Sequence, residues 1–253
     1  MITDYFFIYA IMCNLISNIT DITIGIRISR SFRIKDILGA ITDKIIYKED
    51  SPLHDYFYDI IQNNIEMVLK KQNNSYLRIT TDDLIFKHVL SEDVEKEIEF
   101  IEKSINYLLG ILKSYKIASI RRIGIIYNHE ITNQNVKFQK IIEDLTNKEI
   151  SEASDFSFSF SKKVAENEAL VKKDVNDYKN VIYMFKKLDE NRLAFALDYQ
   201  KYYVPPMDDI EKQDLKNFLQ SSKSYLENTF YTSLFKNTDD QKEKSTKSTC
   251  GKK

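Results

Sequence analysis

Three side chains of this chain have the types and spacing to hold a polar ligand: Arg122, Asn128 and Asp198. Arg122 and Asn128 lie in the run Ile120-Arg121-Arg122-Ile123-Gly124-Ile125-Ile126-Tyr127-Asn128-His129. Read as a strand, its period of two puts Ile123, Ile125, Tyr127 and Ile131 on one face and Arg122, Gly124, Ile126 and Asn128 on the other. Asp198 belongs to a later run in which Arg192, Ala194, Ala196 and Asp198 share a face opposite Leu193, Phe195 and Leu197. Gly124, Ala194 and Ala196 leave room above the backbone. The Arg122 guanidinium can grip an anion with two N–H groups, and Asn128 and Asp198 can orient what it holds. The same pattern also fits a solvated face, or a seat for a helix with Arg122 and Asp198 paired structurally.

The other chemistry-bearing residues are scattered. His54, His88 and His129 are far apart and form neither HxxxH nor HExxH. A metal site from His129, Glu130 and a distant carboxylate is the weaker reading; a surface histidine at a strand end is the expectation. Ser157, Ser159 and Ser161 lack a nucleophile's sharp turn and paired base, and read as the wet side of a strand. Asp82-Asp83 and Asp208-Asp209 precede helices or turns, where carboxylates suit capping better than acid–base work. Arg27, Arg30 and Arg33, interleaved with Phe32, could touch a nucleic-acid backbone. However, Lys+Arg number 37 against 38 Asp+Glu, and that balance favours a solvated face over nucleic acid. The chain's 5 glycines are never clustered, which excludes phosphate loops of the Walker and dinucleotide type. Cys13 and Cys250 lack metal-like spacing, so a disulfide framework and a thiolate zinc site are not expected, and a reducing cytoplasm is. No catalytic residue, metal or cofactor is assigned.

The elements that must position these residues show in the apolar spacing. Ile22, Ile24, Ile26 and Ile28 alternate with Thr23, Gly25, Arg27 and Ser29, which predicts a strand. Ile34, Ile37, Leu38, Ile41 and Ile45 switch to helical period. Ser51-Pro52 reads as the opening of a second helix through Tyr56, Phe57, Ile60 and Ile61. Strands are expected over 65–70 and 76–89, with a turn at Gln72-Asn73-Asn74. A long helix follows from about Ser91 to Lys116, its stripe being Val94, Ile98, Ile101, Ile105, Leu108, Leu109 and Leu112. After the Arg122 strand come a shorter helix over 136–145 and a strand through Phe156, Phe158 and Phe160. Strands over 179–188 and 193–199 come next. Pro205-Pro206 reads as the end of the last strand, and Met207 to Phe235 as a closing amphipathic helix.

The expected fold class is α+β: a largely antiparallel sheet in two pseudo-similar halves with ferredoxin-like split βαβ elements, and a long C-terminal helix. One domain spans 19–236, with halves 19–131 and 132–236. Residues 237–253 are almost devoid of apolar side chains and read as a disordered polar tail. Residues 1–18 hold the apolar run Tyr5–Met12, too short for a membrane span of roughly 20 residues. A buried first element, or a stretch ahead of a start at Met12, is the leading reading, with membrane contact the lesser one.

The strand Ile120–Asn128 resembles the Arg-Ile-Gly-Leu-Arg-Tyr-Ile-Asn signature of a sporadically distributed, uncharacterised bacterial protein family of similar length. That family also has a long helix before the signature, a late strand with a Leu-Asp pair (here Leu197-Asp198) and a closing helix with a late phenylalanine (here Phe230). The resemblance covers roughly Ile22 to Phe235. It departs from the family pattern at Ile126, where the family has arginine. Asn128 directly follows Tyr127, and the histidine expected in the closing helix is missing. The resemblance implies fold and extent, and no activity. Three functional readings follow. The first is a non-catalytic binding or protein-interaction module. The second is an apolar-ligand binder with a pocket between sheet and closing helix, lined by Phe156, Phe158, Phe160, Phe195 and Tyr199. The third is an enzyme using Arg122, Asn128, His129 and Asp198. The first is preferred, with a protein partner or small ligand.

Overall fold

Isoleucine at every second position makes β1 (Ile19–Ile28) a strand with one dry side: Ile22, Ile24, Ile26 and Ile28 are buried, Thr23 and Gly25 are half-exposed and Arg27 is exposed. In the computed structural model of the protein, residues 19–59, 66–91, 93–117, 119–132, 157–164, 178–189 and 192–231 are described. The expectations for Tyr5–Met12, for a helix over 136–145, for Phe156 and for a tail over 237–253 concern residues outside these.

Among the described residues, the helical spacings give three helices. The first, α1 (Arg33–Ile46), buries Ile34, Ile41 and Ile45. The second, α2 (Val94–Ser114), begins where the Asp93 carboxylate accepts from Glu95 N, and buries Ile101, Ile105, Leu108, Leu109 and Leu112. The third, α3 (Lys212–Tyr225), runs into a π-helical turn over Leu226–Tyr231 and buries Leu215, Phe218 and Leu219, with Leu226 and Phe230 beyond it. Among the described residues, no helix is long and apolar enough to cross a membrane.

Around β1 stand β2 (Phe57–Asp59), β3 (Met67–Lys70), β4 (Tyr76–Ile79), β5 (Asp83–Val89), β6 (Ile120–Thr132), β7 (Ser157–Val164), β8 (Tyr178–Lys187) and β9 (Arg192–Met207). They form one 9-stranded sheet in the order β2-β3-β4-β5-β1-β6-β9-β8-β7. Every pairing is antiparallel. β5 and β6 therefore run parallel to each other on either side of β1, and α2 connects them. The fold is α+β with an antiparallel sheet, as its sequence predicts.

Three expectations need correction. Ser51-Pro52 opens a short turn and not a helix, and Phe57 begins β2, whose backbone pairs with β3 at Phe57↔Lys70 and Tyr58↔Leu69. The apolar residues of this stretch fit either period, and a strand partner decides between them. The 76–89 run is two strands, because the Thr80 hydroxyl accepts from Asp82 N at 3.2 Å and Asp83 N at 2.9 Å and turns the chain back. Finally, Pro205-Pro206 does not end β9, which continues to Met207 opposite Ile120. The ladder skips from Tyr202 to Met207 in pairing with β6, and β8 stops at Tyr202, so the prolines lie where no amide donor is needed.

All three helices cover the same face of the sheet. Phe86 and His88 of β5 meet Phe100 of α2, the Tyr127 hydroxyl of β6 meets Ser222 of α3 at 2.8 Å, and Tyr199 of β9 packs on Phe218 of α3. Thr42 of α1 reaches the Met67 sulfur of β3. On this side the core isoleucines, leucines and aromatics are removed from water, at roughly 25 cal/mol for each Å² of apolar area. Among the described residues, no helix packs on the opposite face.

Candidate functional site

Two glycines meet near the centre of the helix-free face. Gly25 of β1 and Gly124 of β6 pair directly, and a single transverse row runs Val68–Arg78–Ile85–Gly25–Gly124–Gln200–Asn180–Lys163 from β3 to β7. A Cβ on Gly25 would meet nothing within 4 Å. One on Gly124 would touch Gln200 Cγ at 3.4 Å and Asp198 Oδ1 at 3.5 Å. The half-buried apolar side chains of Ile85, Ile126, Ile182 and Met184 share this face.

Beside the glycines a chain of hydrogen bonds follows β9. Arg122 Nη1 donates to the Tyr202 hydroxyl at 3.4 Å, that hydroxyl donates to Gln200 Oε1 at 2.9 Å, and Gln200 Nε2 donates to Asp198 Oδ2 at 2.5 Å. Period two along β9 lines up Asp198, Gln200 and Tyr202 on one side, so every donor points the same way, from guanidinium to carboxylate. Charge at each end polarises the links between them. The guanidinium also lies over the Tyr202 ring, 5.7 Å from its centroid. Burial pushes the Asp198 carboxyl above the usual carboxylate range, and the Gln200 bond and the Arg122 charge only partly oppose it. Arg122 Nε is buried and finds no acceptor among the described residues. The arrangement can hold a cation and a carboxylate at fixed positions on a half-buried surface.

Arg122, Asn128 and Asp198 all lie on this face, in two separate clusters. Arg122 and Asp198 are joined through Tyr202 and Gln200 and not by a direct ion pair. Asn128 instead donates from Nδ2 to Asp21 Oδ1 at 2.7 Å, and the other oxygen of Asp21 faces Lys87 Nζ at 3.4 Å. Sequence reading missed Gln200, Tyr202 and Asp21. Continuing the period of two from Asp198, and back from Thr23, reaches all three.

His129 corrects the expectation of a surface histidine. It follows Tyr127 by two residues and so points into the core, where it is only 2% exposed and stacks on Phe195 with ring centroids 4.2 Å apart. Burial lowers its pKa to about 3, against the pull of its backbone hydrogen bonds, one of them from Nδ1 to the Tyr127 carbonyl at 3.2 Å. It thus faces away from Arg122, Asn128 and Asp198. His88 is also a core group: its Nε2 is 2.5 Å from Glu97 Oε2, and Ser91 N and Oγ donate to Glu97 Oε1. Burial opposes ionisation of Glu97, but these bonds outweigh it and hold its carboxyl below the usual range.

The other candidates have structural partners. Arg27 pairs with Asp83 at 2.9 Å and Arg30 with Asp82 at 2.8 Å, tying the end of β1 to the β4–β5 turn. Asp209 pairs with Lys113. Ser157, Ser159 and Ser161 are exposed. Phe195 meets Phe230 in a tilted contact at 5.5 Å, and Tyr199 meets Phe218 at 5.7 Å and Tyr225 at 5.5 Å, so these rings pack directly against the closing helix and the turn beyond it. Among the described residues, no group of three or more His, Cys, Asp or Glu side chains is placed to hold a metal ion. In comparison with known proteins, the chain matches no family profile, and no curated protein matches it in sequence.

Proposed function

We propose that the protein is a non-catalytic binding module of the cytoplasm that takes a protein partner on the helix-free face of its sheet. One observation carries this reading: Gly25 leaves open backbone near the centre of the face, paired with Gly124, which lies against the Arg122–Tyr202–Gln200–Asp198 chain. The partner presents a carboxylate to Arg122, whose five N–H donors find among the described residues only a 3.4 Å phenol contact. Its apolar side chains rest on Ile85, Ile126, Ile182 and Met184. The resemblance to the sporadic bacterial family belongs to the same reading.

Strand order supports two pseudo-similar halves with split βαβ character. Outward from the central β1–β6 pair, β5, β4 and β3 mirror β9, β8 and β7, and α2 follows β5 as α3 follows β9. In this arrangement β6 stands in the second half where β1 stands in the first. The glycine pair then sits on the axis relating the halves.

Native mass spectrometry of the tagged protein from its own host tests the proposal, with Gly25→Tyr and Arg122→Ala beside wild type. Gly25→Tyr adds its side chain into open space, so folding is retained while the face is covered. Wild type should carry a protein at fixed stoichiometry, and both variants should lose it at an unchanged melting temperature. A partner retained by both variants sinks the reading.

A further inference from the structure

On the helix side of the molecule, away from the proposed partner face, a groove of about 560 Å³ lies between α2 and the end of α1. Its floor is one stripe of α2, formed by Lys103, Asn106, Tyr107, Gly110, Ile111 and Ser114, which recur at the spacing of a single helix face. Lys44, Lys48, Asp50 and Pro52 form the facing wall, and Lys212 at the start of α3 closes one end. Four lysines against a single aspartate give this groove a formal charge of about +3, in a chain whose whole net charge is −1. Lys44 is held in place: its Nζ donates to Ser114 Oγ at 3.0 Å and lies 4.3 Å from the Tyr115 ring centroid. Tyr107 braces the same corner by donating to the Lys44 carbonyl at 2.5 Å. Lys48, Lys103 and Lys212 form no ion pair among the described residues.

Gly110 gives an independent sign that the groove is kept open. It sits in the interior of a 21-residue helix, where glycine is the least favourable residue after proline. Packing does not require it, because a Cβ there would meet nothing within 4 Å. What glycine does preserve is the depth of the groove floor.

We infer that this groove binds a small phosphorylated molecule, its phosphates among Lys44, Lys48, Lys103 and Lys212 and its organic body over Gly110 and Ile111 beside Tyr107 and Pro52. The volume lies within the usual range for small-molecule sites. Asp50, the one acid on the wall, accepts from a ligand hydroxyl or amino group. The fold holds the phosphates with side chains, not with a glycine-rich loop.

Calorimetric titration of the full chain with inorganic pyrophosphate and with ADP tests the assignment. Both probes should bind saturably at one site, ADP roughly 10-fold more tightly because its body also finds the floor. Reversing two exposed charges together, Lys48→Glu with Lys103→Glu, should weaken both by about 100-fold. Gly110→Leu should weaken both by at least about 10-fold while leaving the melting temperature equal or higher, since it fills the groove and improves the helix. Absence of saturable binding overturns the assignment, as does wild-type affinity in the double reversal. Wild-type affinity in Gly110→Leu also overturns it, by reducing the lysines to a surface patch.

Discussion

The two sides of β6 treat polar groups in opposite ways. On the helix side, Tyr127 and His129 are sealed in the core, and burial raises the phenol's pKa and lowers the imidazole's to about 3. Both are neutral at pH 7, and each is hydrogen-bonded, Tyr127 to Ser222 and His129 to the Tyr127 carbonyl. On the other side, Arg122 is linked through Tyr202 and Gln200 to Asp198, while Asn128 ties into Asp21, which also faces Lys87. For Tyr127 and His129 burial favours the neutral form, whereas on the other side hydrogen bonds between neighbouring strands tie Arg122 and Asn128 to their partners.

The largest effect should come from damage to the dry side. Phe230 is fully buried among Tyr183, Phe185 and Phe195, so Phe230→Ala should cost about 3–5 kcal/mol in denaturant unfolding. Ile126→Ala on the open face should cost less than about 1.5 kcal/mol. Equal losses at the two positions would erase the contrast between the faces.

Acid sharpens the contrast next. His129 titrates at about 3 in the fold against 6.5 ordinarily, so its neutral form is the one the fold favours. Its contribution is complete above pH 6.5 and is lost as pH falls toward 3, at no more than about 1.4 kcal/mol per pH unit. Unfolding measured between pH 7 and pH 4 should be less acid-sensitive in His129→Phe, which keeps the stack on Phe195. An unchanged slope would show that His129 is not sealed from water.

Asp198 should give the smallest effect and the opposite sign. Its carboxyl is raised, so the ionised form opposes folding at neutral pH and the opposition fades as pH falls through the folded value. Asp198→Asn keeps an acceptor for Gln200 and should be neutral or stabilising by up to about 1 kcal/mol at pH 7. A clear loss of stability in thermal melts would mean that the charge itself holds the Arg122 chain in place.

These assignments were unevenly readable in the sequence. Where the apolar period was unambiguous, as in Ile22 to Ile28 or the α2 stripe, element and buried face could both be read directly. The stretch around Phe57 fitted two periods, and only backbone partners on β3 made Phe57 the start of a strand. Composition along the chain could not place a bulge or a skipped register, so Pro205-Pro206 looked like a stop. For the site, alternation correctly put Arg122, Asn128 and Asp198 on one face. Which of them would meet depended on cross-strand register, and Asn128 lies opposite Ala196, not Asp198. His129 looked like a strand end only because the reach of β6 to Thr132, opposite Arg192, is fixed by a partner strand far along the chain.

The central place of β1 also sets the timing of assembly during synthesis. It is the first described strand to leave the ribosome, yet β5 and β6, its two neighbours, both come later. About a hundred residues must be added between the end of β1 and the end of β6, which takes roughly 5–20 s at ~5–20 residues per second. For that interval Ile22, Ile24, Ile26 and Ile28 have no complete sheet to enter. The nascent chain thus carries a sticky strand with both edges bare until β5 emerges and one edge bare until β6 does, and its yield in the cell depends on how well that strand is shielded meanwhile.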